Sequence, residues 1–279
     1  MMPPRRPLLI TRPIEQGRQQ LQSLQAALPA AARPFELFPL LEIAPLPPAQ
    51  QAQLHAALAS VRGGELLAFV SPNAIAAANA ALLQGNLRLE RQVLLGVMGQ
   101  GSARALQAAP ALQGLRVLAA PPAQQDSQGL LQTLHSQACL PAQGGALRSA
   151  LILRGQDGRE WLAEALQAAG VTVRQQACYL RHPVAPEPAR LQTLRAWLAQ
   201  ECCWLISSSQ ALRHLLDLCA ALCQMEGPAA PDYVAKMKQQ TLLLPHPRIV
   251  QNAQALGFAA ITPYAGSDVD LLAALQSLP

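Results

Sequence analysis

The sequence predicts an α/β protein made of two similar, doubly wound parallel-sheet domains. Three observations lead there. Strand-length apolar runs alternate with amphipathic helical stretches, the alternation recurs further along the chain, and a proline cluster follows each copy of one recurring unit. Strand–helix alternation is what a parallel sheet covered by helices on both faces requires. The chain has 279 residues, enough for two ordinary domains.

Taken in order, strands are expected at 8–12 and 34–38, with the helical stretch "EQGRQQLQSLQAA" between them. Three further strands, at 66–70, 94–98 and 116–119, each lead into a helical pattern. Strands at 149–153 and 172–176 resemble the first pair, and those at 203–207, 241–244 and 259–262 resemble the three. The stretch 225–238 reads as a variable loop.

The likeness is a repeat at the level of residues. "LLITRPIEQGRQQLQSLQAALP" (8–29) resembles "ALILRGQDGREWLAEALQAAGV" (150–171), with Arg12 against Arg154; this is unit A, strand–helix–strand. "FVSPNAI" (69–75) resembles "ISSSQAL" (206–212), with Ser71 against Ser208, and "SQGLLQTL" (127–134) resembles "DVDLLAAL" (268–275); this is unit B, three strands each followed by a helix. The chain runs A–B–A–B. Each domain is then a consecutive A–B pair, or the first A joins the last B around an inserted B–A domain. Prolines favour the second arrangement, because "APLPP" (44–48) and "HPVAPEP" (182–188) each follow an A unit and stiffen the chain as a linker requires. The expected domains are 1–40 with 186–279, and 46–177 inserted, with linkers at about 41–45 and 178–185 and a ligand cleft between the domains.

Composition narrows the function. Hydrophobic residues make up 51% of the chain, yet no apolar run approaches the roughly 18 residues of a membrane span. The apolar core of "MMPPRRPLLITRP" is too short for a secretory leader, so a cytoplasmic protein is expected. Six cysteines form no C-x-x-C pair and read as buried reduced thiols. The five histidines are scattered, so no metal is expected. The net charge of +5 comes from isolated basic residues, and at 4% aromatics there is no stacking platform for nucleic acid. A mild positive excess suits a small anionic ligand or serves solubility alone.

The stretches that can carry chemistry are helix starts. Ser71 is placed as an N-cap with Pro72 at the first helical position, and Ser207–Ser209 stand the same way before Gln210. Such a start at the carboxyl end of a parallel strand presents free amides and a helix dipole to an anion. "GQGSAR" (99–104), with Gly101 and Ser102, is a third such start; it lacks the remaining glycine and acid of a dinucleotide fingerprint. "PHPRIVQNA" (245–253), with Pro247 and Arg248, takes the matching place in the second B unit, and Gln128 opens a further helix. Arg12 and Arg154, at the ends of the first strands of the A units, are candidates for a bidentate grip on a carboxylate. Tyr179, where the second A unit runs into the linker, either packs or presents its hydroxyl at a hinge. There is no G-x-S-x-G and no placed triad, so a nucleophile elbow is excluded.

Together "LITRP", "QGRQQLQ", "FVSPNA", "GVMGQGSARAL", "SQGLLQTL", "LILRGQDGREWLAEALQAAG", "CYLR", "LISSSQAL" and "PHPRIVQNAQALGF" resemble, in order and spacing over about residues 8–277, the uroporphyrinogen-III synthases. The resemblance implies two flavodoxin-like α/β domains, the first discontinuous, joined by a two-stranded linker. It implies closure of hydroxymethylbilane, a linear tetrapyrrole with eight carboxylates, with inversion of the terminal ring to give uroporphyrinogen III for haem synthesis. No cofactor or metal is implied. Tyr179 matches the family's candidate acid. Ser71, Pro72 and Asn73, and Ser208, Ser209 and Gln210, match its serine-led helix starts. Many members carry a threonine where this chain has His246–Pro247–Arg248. The expected partner is the small tetrapyrrole, with no nucleic acid and no membrane; a monomer is expected, with transient contact with the preceding pathway enzyme. The rival readings are a non-catalytic two-domain binding or sensor protein for an anionic ligand, which should show a partner surface, and a glycosyl transferase, which should show a nucleotide site.

Overall fold

The structure is a computed structural model and describes residues 5–28, 33–156 and 160–278. Residues 1–4, which open the stretch weighed as a leader, and parts of both A-unit stretches (29 and 157–159) lie outside the described residues. In chain order the elements are β1 (Leu8–Ile10), α1 (Ile14–Ala27), β2 (Phe35–Leu37), β3 (Leu41–Ala44), α2 (Pro48–Ala59), β4 (Leu66–Phe69), α3 (Pro72–Gln84), β5 (Leu94–Val97), α4 (Gln100–Gln107), β6 (Arg116–Ala119) and α5 (Ser127–Ser136). There follow β7 (Ser149–Gly155), α6 (Trp161–Ala168), β8 (Thr172–Pro183), α7 (Pro188–Leu198), β9 (Cys203–Leu205), α8 (Ser209–Glu226), α9 (Tyr233–Lys238), β10 (Thr241–Leu244), α10 (Pro247–Ala255), β11 (Ile261–Pro263) and α11 (Asp268–Ser277). The chain divides into two compact units, 1–42 with 182–279, and 43–181.

The first unit holds a five-stranded sheet in the order β11-β10-β9-β1-β2, every pair parallel. The strands are fully buried runs (Leu8–Ile10, Cys203–Leu205, Leu242–Leu244), as a sheet covered on both faces demands. Trp204 is the largest fully buried side chain and meets Phe38 edge to face at 5.8 Å between centroids. Arg33, 4% exposed, donates to the carbonyls of Arg6, Leu275 and Leu278 and to Cys203 Sγ, tying the end of α11 to the sheet. Strand order reverses between β1 and β9.

The second unit holds a six-stranded sheet in the order β3-β8-β7-β4-β5-β6; the pairings β8–β7, β7–β4, β4–β5 and β5–β6 are parallel. One core packs Phe69, Ile75 and Leu95 between α3 and the sheet, and another packs Leu130, Leu134 and Ile152 on the other face. Here the order reverses between β7 and β4. The first sheet has the 2-1-3-4-5 order of flavodoxin-like folds; setting aside the edge strand β3, the second matches it only when its A strands β7 and β8 are counted before its B strands β4–β6, as a circular permutation, with A strands on one side of the switch and B strands on the other in both.

The structure differs from the sequence expectations in several places. Residues 41–44 form strand β3, and β8 runs on to Pro183; the chain crosses between units inside these neighbouring strands, within the expected linkers and in keeping with the two-stranded linker that the resemblance implies, but not in proline-stiffened segments. Alternating side chains of "LEIA" and "TVRQQACYLRHP" can pair along an edge, and Pro183 stands at the strand's last position. Pro48, the last residue of the proline stretch "APLPP" read as stiffening a linker, begins α2 at its first position. The expected loop 225–238 contains α9, capped by Asp232 and anchored by buried Tyr233 and Met237. The final strand begins at Ile261 rather than 259. All six cysteines are free; Cys139 and Cys223 are half-buried rather than buried. Burial pushes the Cys178, Cys202 and Cys219 thiols up to about 12.

Candidate active site

In each unit the helices that follow the strands start at the carboxyl edge of the sheet. In the second unit Ser71 has extended backbone and caps α3, its Oγ accepting from Ala74 N at 3.2 Å, with Pro72 at the first helical position. The same hydroxyl shares a hydrogen bond with Tyr179 Oη at 3.0 Å. Tyr179 is 3% exposed. Its ring lies against Gly155, where an added Cβ would stand 3.0 Å from the ring carbons and crowd the phenol that reaches Ser71. Arg181, two residues on along β8 and therefore on the same face, donates from Nη2 to Tyr179 Oη at 3.3 Å. A cavity of about 270 Å³ opens beside this cluster, walled by Ile43–Leu46, Asn73, Cys178 and Tyr179.

The neighbouring starts are unlike one another. α4 begins after Gly99 with no side-chain cap, and Gly101 is exposed while Ser102 is buried. Its first amides have no acceptor from a capping side chain. At α5 the Asp126 carboxylate already accepts from Gly129 N at 3.0 Å. A carboxylate in that place opposes a second anion, which removes the electrostatic reason for Gln128 as an anion contact; Gln128 Oε1 accepts from Gln124 instead.

Arg154 lies inside β7 at an irregularity in its pairing with β8. Its guanidinium pairs with Glu160 and also donates to Gln175. Hydrogen bonds from Gln175 and from Arg154 hold the Glu160 carboxyl below the usual carboxylate range. The guanidinium expected to grip a substrate carboxylate thus holds this unit's own acid here.

In the first unit Ser208 caps α8, accepting from Ala211 N at 3.1 Å; Ser209 Oγ accepts from Asn252 Nδ2, and Gln210 stands in the first turn. At α10, Pro247 takes the first position and the expected hydroxyl is replaced by a ring nitrogen: His246 Nδ1 accepts from Arg248 N at 3.1 Å. Arg12 lies two residues past β1, with its Nε buried and without a hydrogen-bond partner among the described residues. The described residues contain no group of three or more metal-binding side chains, and no helix among them is long and apolar enough to cross a membrane.

Sequence reasoning singled out Ser71, Asn73 and Tyr179, and the structure brings these three to one place. It passed over Arg181 and Gly155, and named His246 only as standing where many members have a threonine. Arg181 had a readable signal, the i, i+2 spacing from Tyr179 along a strand. Gly155 had none, since its role depends on a contact across two strands.

Two doubly wound parallel sheets, with polar helix starts along their carboxyl edges, define a two-unit α/β protein of the flavodoxin-like class. A family model described as "Uroporphyrinogen-III synthase HemD" matches residues 22–264. Uroporphyrinogen-III synthase of Escherichia coli (strain K12) is 30% identical over 274 residues, covering 96% of this chain and 99% of that one. A crystal structure of a mutant uroporphyrinogen III synthase from the extremely thermophilic bacterium Thermus thermophilus gives a TM-score of 0.55 at 18% identity, over 97% of this chain and 98% of that one, which bears on the fold. The chain belongs to the uroporphyrinogen-III synthase family.

Proposed function

We propose that the chain is a cyclising lyase that closes hydroxymethylbilane to uroporphyrinogen III with inversion of the terminal ring. The observation that carries the catalytic part is the Tyr179 hydroxyl held 3.0 Å from the capping hydroxyl of α3, beside a cavity. The substrate closes unaided to the wrong isomer once its hydroxyl leaves. The enzyme therefore has to hasten that departure and hold the last ring turned over. Tyr179 gives a proton or hydrogen bond to the leaving hydroxyl. The amides at the starts of α3 and α4, and in the other unit of α8 and α10, hold carboxylates. Such amides leave little side-chain signature, consistent with the lack of a catalytic cluster in the sequence.

Incubation with freshly made hydroxymethylbilane and separation of the product isomers tests the activity; a type-I to type-III ratio equal to the spontaneous one overturns it. Tyr179→Phe keeps the ring and removes the donor. It is expected to fold normally, slow type-III formation at least about tenfold and let type-I product accumulate. A variant with the wild-type rate and isomer ratio makes Tyr179 a packing residue.

The proposal extends to a monomer working in the cytoplasm, in transient contact with the enzyme that supplies the bilane. The six free thiols suit a reducing compartment. Light scattering at micromolar concentration reads the monomer directly. The two compact units are also proposed to be folding domains, so 43–181 expressed alone should unfold cooperatively; a disordered fragment rejects that.

A further inference from the structure

Tyr179 Oη has two neighbours in the second unit, Ser71 Oγ at 3.0 Å and Arg181 Nη2 at 3.3 Å. A guanidinium has no acceptor, so Arg181 can only donate, and the phenol oxygen receives at least one N–H bond from a cation. Ser71 is fixed in turn by Ala74 N, and the ring is fixed by Gly155. The phenol oxygen is therefore held by two hydrogen-bond partners, and one of them carries a positive charge. Nothing about packing requires that charge. Arg181 is only half-buried, and its neighbour Leu180 supplies the apolar contact at that point of the strand.

We propose that Arg181 is a positioning residue for Tyr179. It fixes the direction of the phenol and compensates the charge left on its oxygen when the proton is given up. The inference rests on the synthase reading of the same site. The step balances as follows. The C–O bond of the substrate's hydroxymethyl group breaks, and the oxygen leaves as water with the phenolic proton. The phenolate faces the Arg181 guanidinium. Inversion of the terminal ring then breaks the C–C bond that held it and forms one at its other carbon; closure forms the last C–C bond and releases a proton from the attacked pyrrole carbon, and that proton returns to the phenolate. No oxidant, reductant or second substrate enters. A cation beside a developing anion in a partly desolvated place gives a charge-assisted hydrogen bond, stronger in the transition state than in the ground state. Its loss should therefore lower kcat and leave KM nearly unchanged.

The test is a double-mutant cycle on the full chain with hydroxymethylbilane as substrate. Arg181→Met and Arg181→Lys are made in the wild type and in Tyr179→Phe, with thermal midpoints measured for all. In the wild-type background Arg181→Met is expected to cost about tenfold in kcat and to raise the type-I fraction, while Arg181→Lys recovers most of the loss because it keeps the cation. In the Tyr179→Phe background Arg181→Met should cost less than about twofold, since the atom it serves is gone. Two results overturn the proposal: an equal loss in both backgrounds carried mainly by KM, which would make Arg181 a direct contact to a substrate carboxylate, or no loss in either. Should Arg181→Met fold poorly, Arg181→Gln replaces it under the same two criteria. A wild-type chain that makes no type-III product rejects the synthase reading itself. A wild type that makes it, with an additive cycle, rejects only the role of Arg181.

Discussion

The two units are copies of one fold, and their A strands show how the same architecture is made polar or apolar at one point. Ile10 pairs with Leu205 and Leu37 in the first unit, as Ile152 pairs with Ala68 and Gln175 in the second. Gln175 thus occupies the place of Leu37. At that place β2 ends, whereas β8 continues for eight residues to Pro183 and carries Tyr179 and Arg181 with it. Leu37 packs against Gly17, where a Cβ would stand 3.2 Å from it; in the second unit Tyr179 packs against Gly155 and aims a hydroxyl at Ser71. The capping serines are alike in the two units, so the helix start by itself does not separate them. What separates them is the length of one strand.

Substitutions at matched positions break or sharpen this comparison. The largest effect is expected at Trp204, whose counterpart in the repeat is Leu67; both are fully buried. Trp204→Ala should cost about 3–5 kcal/mol, because a large cavity opens in a dense core. Calorimetry should show it in the transition of the first unit, with that of the second unmoved. A uniform shift of both would mean that the units do not unfold separately.

Next comes Gly129, matched by Asp270 in the repeat. A Cβ at Gly129 would lie 1.8 Å from the carbonyl oxygen of Gln124, so the loop before α5 has to move. Gly129→Ala should lower stability by about 1–3 kcal/mol, as overpacking does. At the matching position the other unit carries a whole aspartate. A thermal midpoint unchanged in Gly129→Ala would show that the loop yields freely.

Ser71 and Ser208 give a smaller stability effect and a sharper functional one. Ser71→Ala and Ser208→Ala should each cost about 1 kcal/mol, the usual worth of such a cap. Only the first also removes a partner of Tyr179, so it should lower activity more. Ser71→Asp keeps a capping oxygen and adds a negative charge at a dipole end worth about 0.3–1 kcal/mol per charge. It should fold at least as well as Ser71→Ala and turn over more slowly. Equal activity of the Ala and Asp variants, at equal stability, removes the start of α3 as a carboxylate site.

The smallest effect concerns His214, whose counterpart in the repeat is Ala77. His214 Nε2 lies 2.9 Å from the carbonyl oxygen of Val184, and burial lowers its pKa below the ordinary 6.5. The unfolded chain then takes up the proton first as pH falls. The stability it contributes is present above about pH 6.5 and is lost as the pH drops from there toward the folded-state value. The thermal midpoint of the wild type should fall between about pH 7.5 and 5.5 more than that of His214→Gln. Parallel curves for the two would mean that His214 is not the group responsible.

Much of this was legible in the sequence because its causes are local. The order of strands and helices follows from apolar runs and their periods. The caps at Ser71 and Ser208 follow from a serine at a strand end just ahead of a helical pattern, with a proline at the next position in one case. The A–B–A–B repeat was legible as likeness between residues, but it left two ways of joining the units open, and the sheet order that unites β1 and β2 with β9–β11 is a matter of long-range pairing. The helix α9 was missed because two prolines and a glycine precede it, while what holds it is the burial of Tyr233 and Met237 in a core built from distant elements.

The sequence by itself determined the fold class and the positions of the helix starts, because each depends on residues within a few positions of one another; the repeat followed from likeness between distant stretches, and the candidacy of Tyr179 from its place at the expected hinge and from the family resemblance. Only the tertiary structure decided which of those candidates act together. Tyr179 and Ser71 are 108 residues apart, and their meeting depends on β8 outrunning β7 and on the space left by Gly155. It also decided that Arg154 is held by Glu160 and Gln175, and that His246 caps α10 in place of a hydroxyl. The physical reason is the same in each case. A cap or a strand is set by the backbone and its nearest neighbours, whereas a hydrogen bond between distant side chains exists only once the sheet has fixed where both of them stand.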